Sequence, residues 1–445
     1  MVALLSWREV SAFPFADRPR LFGVAVSHYQ VEGDDECDWT DWEAAGRTKG
    51  GACGRAAGAW QRYEEDAALA AGLGANAFRF SVSWSRVEPK RGLFDEVALA
   101  RYRRFVERLV SLGLEPVVTL HHYTHPRWFH EETPWTAPSS VDAFARFARK
   151  TARALAPHVR LFIPFNEPLV LLLGGFLDGQ IPPGLADPPA AARALDHLFA
   201  AHAETAAVLR EEAPGAAVGV AHNMMDFAPD RPGHPLDALL ARHARRLYNT
   251  AFLEAFATGR WNLWIPPFTR LKGRRDALPG SLDFVGVNYY SRLHVRFPAA
   301  TRVLTGFAYR DRQGRGLTDN GWEIVPESFG ALLGDAGRLG LPVLVTENGL
   351  ADGADALRPA FLESHFAALA AAEAAGVPVA GYLHWSLLDN FEWLDGYGPK
   401  FGLFAVDPDT LERRARPSAA VFRALSKSFL RLSLPEGHAQ NSVHI

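Results

Sequence analysis

Eight short apolar or β-branched runs recur along this chain, each breaking off into polar residues, and the stretches between them carry helical spacing. The clearest is Pro342-Val343-Leu344-Val345-Thr346-Glu347-Asn348-Gly349, which reads as a buried parallel strand ending on a carboxylate and closed by a turn former. Leu161-Phe162-Ile163-Pro164-Phe165-Asn166-Glu167-Pro168 has the same form 180 positions earlier. The remaining strands are expected at 21–26, 76–82, 116–122, 217–223, 282–290 and 377–386. Helices are expected between them. Tyr63, Ala67 and Ala70 share one face of 60–71, and Tyr102, Phe105, Val106 and Leu109 one stripe of 99–112. Phe144, Phe147 and Ala148 face inward on 141–155, and 190–212, 237–258, 329–339 and 359–375 complete the series. Gly72-Leu73-Gly74 follows a helix and precedes a strand, so it ends a helix rather than cradling a dinucleotide. Eight strands alternating with helices place the chain in the α/β class as a (β/α)8 TIM barrel with long βα loops. The longest of these are an irregular excursion up to Gly58 and a loop from Ser291 to Pro326.

A chain of 445 residues fits one such barrel, and no linker interrupts the strand count. One catalytic domain is expected over 1–431, with a loosely held polar tail over 432–445. The formal net charge of −3 gives no basic footprint, which argues against nucleic acid or an anionic membrane as partner. No run of 18 apolar residues occurs and residues 1–20 lack the pattern of a secretory leader, so a cytoplasmic location is expected. Cys37 and Cys53 lie in a Gly-rich polar stretch, where a loop disulfide is conceivable but a reducing compartment favours free thiols. Self-association stays open at this level.

Polar residues gather at the expected C-terminal strand ends, where barrels of this kind build their active sites. These are Gln30 after strand one, Arg79 on two, His122 on three, Asn166 and Glu167 on four, Asn288 and Tyr290 on six, Glu347 on seven and Trp385 on eight. Two carboxylates facing one cleft among aromatic and amide side chains suit glycoside hydrolysis, with Glu347 an ionised nucleophile and Glu167 a protonated acid. Arg79 is expected to hold Glu347 ionised, because a neighbouring cation lowers a carboxylate pKa by about 1 to 3 units, and Tyr290 adds a hydrogen bond. The charge on Glu347 then keeps Glu167 protonated. Capture of the sugar removes that charge and frees Glu167 to act as base, provided the carboxyl groups lie about 5 to 5.5 Å apart. His121, His122, His125 and His130 resemble a metal cluster only superficially. His121 and His122 point to opposite faces of a strand, so neither a metal nor another cofactor is expected.

Phe165-Asn166-Glu167-Pro168 and Val345-Thr346-Glu347-Asn348-Gly349 resemble the two catalytic signatures of glycoside hydrolase family 1, the β-glucosidase family. The likeness extends to Gln30-Val31-Glu32-Gly33, Phe78-Arg79-Phe80-Ser81-Val82-Ser83-Trp84-Ser85-Arg86, Asn288-Tyr289-Tyr290, Gly321-Trp322-Glu323 and Trp385-Ser386-Leu387-Leu388-Asp389-Asn390-Phe391-Glu392-Trp393. This resemblance implies a retaining exo-acting β-glycosidase, a β-glucosidase acting on terminal β-D-glucosides and also on β-galactosides and β-fucosides. Glu167 would be acid/base and Glu347 nucleophile. Gln30, His122, Asn166, Glu392 and Trp393 would hold the sugar hydroxyls, Trp385 the sugar face and Trp322 the aglycone. Asn288 and Phe401 complete the expected substrate-binding set. The substrate class is a small β-glycoside or oligosaccharide. One departure stands out: the family's usual His-Trp after strand three is His122-Tyr123 here, which leaves the indole contact to the sugar 3-hydroxyl in doubt. A 6-phospho-β-glycosidase is the rival within the family, yet the last loop offers Glu392 and a lone Lys400 where phosphate recognition wants several cations. A non-catalytic sugar-binding protein on the same scaffold would be favoured by loss of either Glu, and both are present. Transglycosylation would depend on the long loops.

Overall fold

The computed structural model describes residues 19–156, 158–265, 269–297 and 307–431. Eight parallel strands close into a barrel: β1 (Leu21–Ala25), β2 (Ala77–Ser81), β3 (Glu115–His121), β4 (Leu161–Phe165), β5 (Ala217–Asn223), β6 (Phe284–Tyr289), β7 (Val343–Asn348) and β8 (Val379–Trp385). Each pairs with its sequence neighbours, and β1 closes the ring on β8 through Leu21↔Gly381 to Ala25↔Trp385. Helices α1 (Ala59–Gly72), α2 (Glu96–Ser111), α3 (Ser139–Leu155), α4 (Pro188–Glu212), α5 (235–258), α6 (Pro326–Gly337), α7 (Arg358–Ala374) and α8 (Pro417–Arg431) follow the strands in turn. Their apolar stripes explain their placement. Tyr102, Phe105, Val106 and Leu109 of α2 are fully buried, and Asp95 caps the same helix by accepting from Val97 N at 2.8 Å and Ala98 N at 3.0 Å.

Strand alternation divides the core in two. Leu21, Ala77, Val117, Leu161, Ile163, Ala217 and Leu344 fill the barrel interior, whereas Phe22, Phe78, Val118, Phe162, Val218, Val343 and Val345 meet the helices. Alternation alone would turn Glu347 outward, behind inward Leu344 and Thr346. The register between β6 and β7 slips instead, pairing Val345 with Val287 and Glu347 with Asn288, so that Thr346 is an extra residue. This bulge re-aims Glu347 into the barrel mouth. Gly349 closes the strand for a different reason than turn formation. A Cβ there would lie 1.7 Å from the Trp385 carbonyl oxygen, so only glycine lets the ends of β7 and β8 approach.

Three stretches differ from the sequence expectation. The excursion before Gly58 contains two short helices, His28–Glu32 and Asp38–Ala44, and Gln30 lies on the first of them. The supposed loop after Ser291 contributes strand Arg292–Val295, which pairs with Asp226–Pro229 and with Phe307–Ala308. Residues 260–274 form a hairpin of Arg260–Ile265 against Thr269–Arg274, with Trp261, Leu263 and Ile265 buried on one face. The expected tail over 432–445 lies outside the described residues. Cys37 and Cys53 are buried free thiols. Among the described residues no helix is long and apolar enough to cross a membrane.

Candidate active site

The strand ends of the barrel surround a cavity of about 490 Å³. Backbone geometry turns two side chains into it that simple pleating would send elsewhere. On β3, His121 faces the helices, against Trp135 at 5.5 Å and Phe165 at 5.4 Å, while His122 lines the cavity. Tyr123 then adopts φ +68° and points into the cavity as well. After β4, Phe165 packs outward and Asn166 inward, and Glu167 follows with φ +46°, so both polar residues share the cavity. Trp393, in the loop after β8, also has positive φ, +50°, and lines the cavity. Left-handed backbone at a non-glycine residue is costly and clusters at functional sites.

Arg79 is the hub of a buried network. Its Nη1 donates to Glu347 Oε1 at 2.6 Å and to the Thr346 carbonyl at 3.0 Å. Nε donates to Thr119 Oγ1 at 3.1 Å, and Nη2 to Asn166 Oδ1 at 2.7 Å. Tyr290 OH donates to the other oxygen of Glu347 at 2.5 Å. Because guanidinium only donates, the Asn166 amide is fixed with Oδ1 toward Arg79, and its Nδ2 must donate to His122 Nε2 at 3.1 Å. His122 therefore carries its proton on Nδ1, a buried atom that makes no hydrogen bond among the described residues. Burial and the nearby Arg79 hold the His122 pKa well below its ordinary value, so the ring is neutral.

Glu167 is bound differently. Its Oε1 accepts from Asn223 Nδ2 at 2.9 Å and Asn288 Nδ2 at 2.8 Å, and its Oε2 accepts from Tyr123 OH. Neutral donors surround this carboxyl, whereas Glu347 touches a cation. The expected effect of Arg79 on Glu347 meets an opposing one from burial. Burial pushes Glu347 up to about 7; Arg79 opposes the shift, and the charge of Glu167 adds to it. Contact with one cation does not offset the loss of solvent at a residue only 3% exposed.

Of the other expected residues, Gln30, Glu392, Trp385 and Trp393 line the cavity. Gln30 is anchored by Ser27 Oγ at 2.7 Å and Asn390 Oδ1 at 3.0 Å, and His122 stacks between Trp385 and Trp393 at 6.1 and 6.0 Å. Trp322, Phe401 and Tyr290 form a second aromatic group, each pair of centroids within 6.1 Å, and all three also line the cavity. Arg79 and Asn288 lie beneath, outside the lining. Asn288 ties Asn166, Glu167 and Thr346 together through bonds of 3.0, 2.8 and 2.6 Å. Burial raises Glu392 to about 8, although the Trp385 indole donates to it at 3.4 Å. Sequence reasoning passed over Asn223, although it ends β5 as the other polar residues end their strands. It also missed Met225, Tyr248, Leu293, Phe307 and Tyr309, which give one wall of the cavity an apolar lining and whose strands or helix were not tied to the site. Among the described residues no group of three or more His, Cys, Asp or Glu side chains is placed to hold a metal ion.

Comparison with known proteins points the same way. A sequence model described as Glycosyl hydrolase family 1 matches residues 15–429. β-Glucosidase A of Thermotoga maritima is 33% identical over 425 residues, which span 89% of this chain and 94% of that protein. The β-galactosidase of Pyrococcus woesei is 31% identical, over 91% of this chain and 96% of that one. The solved structure of Thermotoga maritima β-glucosidase in complex with glucoimidazole is similar with a TM-score of 0.84 at 30% identity, covering 94% of this chain and 99% of that chain.

Proposed function

This chain belongs to glycosyl hydrolase family 1, a β-glycosidase, and on that premise we propose that it is a retaining, exo-acting enzyme that hydrolyses terminal β-D-glucosides by double displacement. β-Galactosides are included, since the similar proteins are named both β-glucosidase and β-galactosidase, and β-fucosides are part of the same reading. The reading is carried by one observation: two buried carboxyl groups line one cavity, one held by a cation and the other by neutral donors alone. Glu347, ionised against Arg79 and Tyr290, attacks the anomeric carbon as the glycosidic C–O bond breaks. Glu167 gives its proton to the departing oxygen, and the aglycone leaves as an alcohol. The resulting ester no longer carries the Glu347 charge, which favours ionised Glu167. That carboxylate takes a proton from water as the water oxygen attacks the anomeric carbon, releasing the sugar and restoring Glu347. Trp385 offers a ring to the apolar face of the sugar, while Gln30, His122, Asn166, Glu392 and Trp393 offer donors and acceptors to its hydroxyls. Trp322 and Phe401 receive the aglycone side. A cytoplasmic location is part of the reading, in keeping with two free thiols and no disulfide among the described residues.

Following the first-formed anomer by NMR tests the double displacement: β product is expected, and α product would overturn it. A panel of aryl β-glucoside, β-galactoside, β-fucoside and 6-phospho-β-glucoside tests the sugar. No residue lining the cavity, among those described, is Lys or Arg, and Lys400 Nζ lies 5.9 Å over the Tyr397 ring. An uncompensated phosphate dianion is therefore expected to lower kcat/KM by about 10²-fold or more. Preference for the phosphorylated sugar would refute the neutral-sugar reading.

The pH profile supplies a further prediction. Only ionised Glu347 attacks, so with its pKa at about 7 the acid side of the profile falls as pH drops through 7, while the basic side is set by the need for a proton on Glu167. A kcat/KM profile between pH 4 and 9 should place the acid limb near 7, and Tyr290→Phe, which removes a donor to the ionised form, should move that limb upward. A wild-type limb between 4 and 5 would mean that Arg79 outweighs burial after all.

A further inference from the structure

Resting on Glu167 as acid/base, we propose that Tyr123 is a positioning residue that confines the transferable proton to Oε2 of Glu167. Its hydroxyl accepts from the protonated carboxyl and donates to the carboxylate. The polarity of the network follows from Arg79, which can only donate. Asn166 Oδ1 accepts from Arg79 Nη2 at 2.7 Å, so the Asn288 group that meets it at 3.0 Å must be the amide nitrogen. The same nitrogen lies 2.8 Å from Glu167 Oε1, which is thereby fixed as an acceptor. Asn223 Nδ2 reinforces this at 2.9 Å, its own oxygen accepting from Tyr248 OH at 3.0 Å. A proton on Oε1 would face donors, so it belongs on Oε2, whose protein partner is Tyr123 OH.

A phenol hydroxyl can rotate between donating and accepting; an indole N–H can only donate. The Tyr that stands where the family usually has Trp thus introduces a group able to follow both protonation states of Glu167. The ring is held for the purpose, buried with φ +68° and packed edge-on to Trp393 at 5.1 Å and His122 at 5.4 Å. Burial and the Glu167 charge keep the phenol itself protonated, far above its ordinary pKa. The other titratable groups around Glu167 are Glu347 on β7, Tyr248 on α5 and Tyr290 after β6, with Arg79 and His122 reaching it only through Asn166. The segment that follows, Pro168–Leu172, is apolar.

The test uses Tyr123→Phe, Tyr123→Trp and Glu167→Gln in the full-length enzyme. Of the two bonds that Tyr123 OH makes, the charge-assisted one to the carboxylate is the stronger, so in Tyr123→Phe the basic limb of kcat/KM for a poorly activated glycoside should move up by about one pH unit. With a dinitrophenyl glycoside, for which deglycosylation limits turnover, kcat should fall about tenfold because less Glu167 is ionised and the carboxylate loses the bond that orients it. Tyr123→Trp should not restore kcat. A basic limb that stays put in Tyr123→Phe, with or without a lower rate, overturns the proposal, as does a wild-type profile in Tyr123→Trp. The two readings separate on Glu167→Gln. If that variant keeps the wild-type basic limb, the acid/base assignment falls; if it loses the limb while Tyr123→Phe leaves it unmoved, only the role of Tyr123 falls.

Discussion

Replacing Glu347 by Gly is expected to lower kcat/KM for aryl β-glucosides by about 10⁵-fold, the scale seen when a covalent nucleophile is removed. The side chain is buried and held at both oxygens, by Arg79 at 2.6 Å and Tyr290 at 2.5 Å, which fixes it as the attacking group. Gly leaves a void with two aligned donors and an unpaired buried cation. Azide fits that description, and adding it should restore turnover with a product of inverted configuration, the α-glycosyl azide. The unpaired Arg79 should also cost about 3 to 5 kcal/mol of stability, read by denaturant unfolding, and azide should return part of it. Retention of wild-type rate in the Gly variant would sink the nucleophile assignment.

Glu167→Ala is expected to act selectively. For glycosides with alkyl or unactivated phenol leaving groups, loss of the general acid should lower the first step by about 10² to 10⁴-fold. For a dinitrophenyl leaving group the first step should be nearly untouched, because the departing oxygen needs no proton. The plot of log(kcat/KM) against leaving-group pKa should steepen accordingly. Azide should now yield the β-glycosyl azide, since Glu347 still forms the ester and the small anion only replaces water in the second step. Equal damage to every leaving group would argue for a structural role, in which Glu167 anchors Asn223, Asn288 and Tyr123.

These experiments differ in what they ask of the sequence. Glu347→Gly and Glu167→Ala address residues visible as carboxylates at the ends of apolar runs. The pH profile and Tyr123→Phe address properties no local pattern carries. Asn223 illustrates the boundary. It ends β5 with the same apolar-to-polar change that marks Asn166 and Glu347, but only its bond to Glu167 gives that change a meaning. The Phe307 and Leu293 wall lay further out of reach, because the parallel pairing of Arg292–Val295 with Asp226–Pro229 joins segments more than sixty residues apart.

By itself the sequence determined the alternation of eight strands with helices, since periods of 2 and 3.6 are written in the order of apolar residues. It also determined that two carboxylates sit at strand ends, one followed by proline and one by Asn-Gly. Only the tertiary structure decided where they point and how they titrate. Strict alternation would send Glu347 to the helices. The extra residue Thr346 on β7 and the left-handed backbone at Glu167 turn both groups into one cavity, and each depends on register or φ set by neighbouring strands. Arg79 was legible as the partner of Glu347. That burial opposes it, raising the carboxyl to about 7, follows from the loss of most of its solvent, a property of the packed barrel rather than of any stretch of chain.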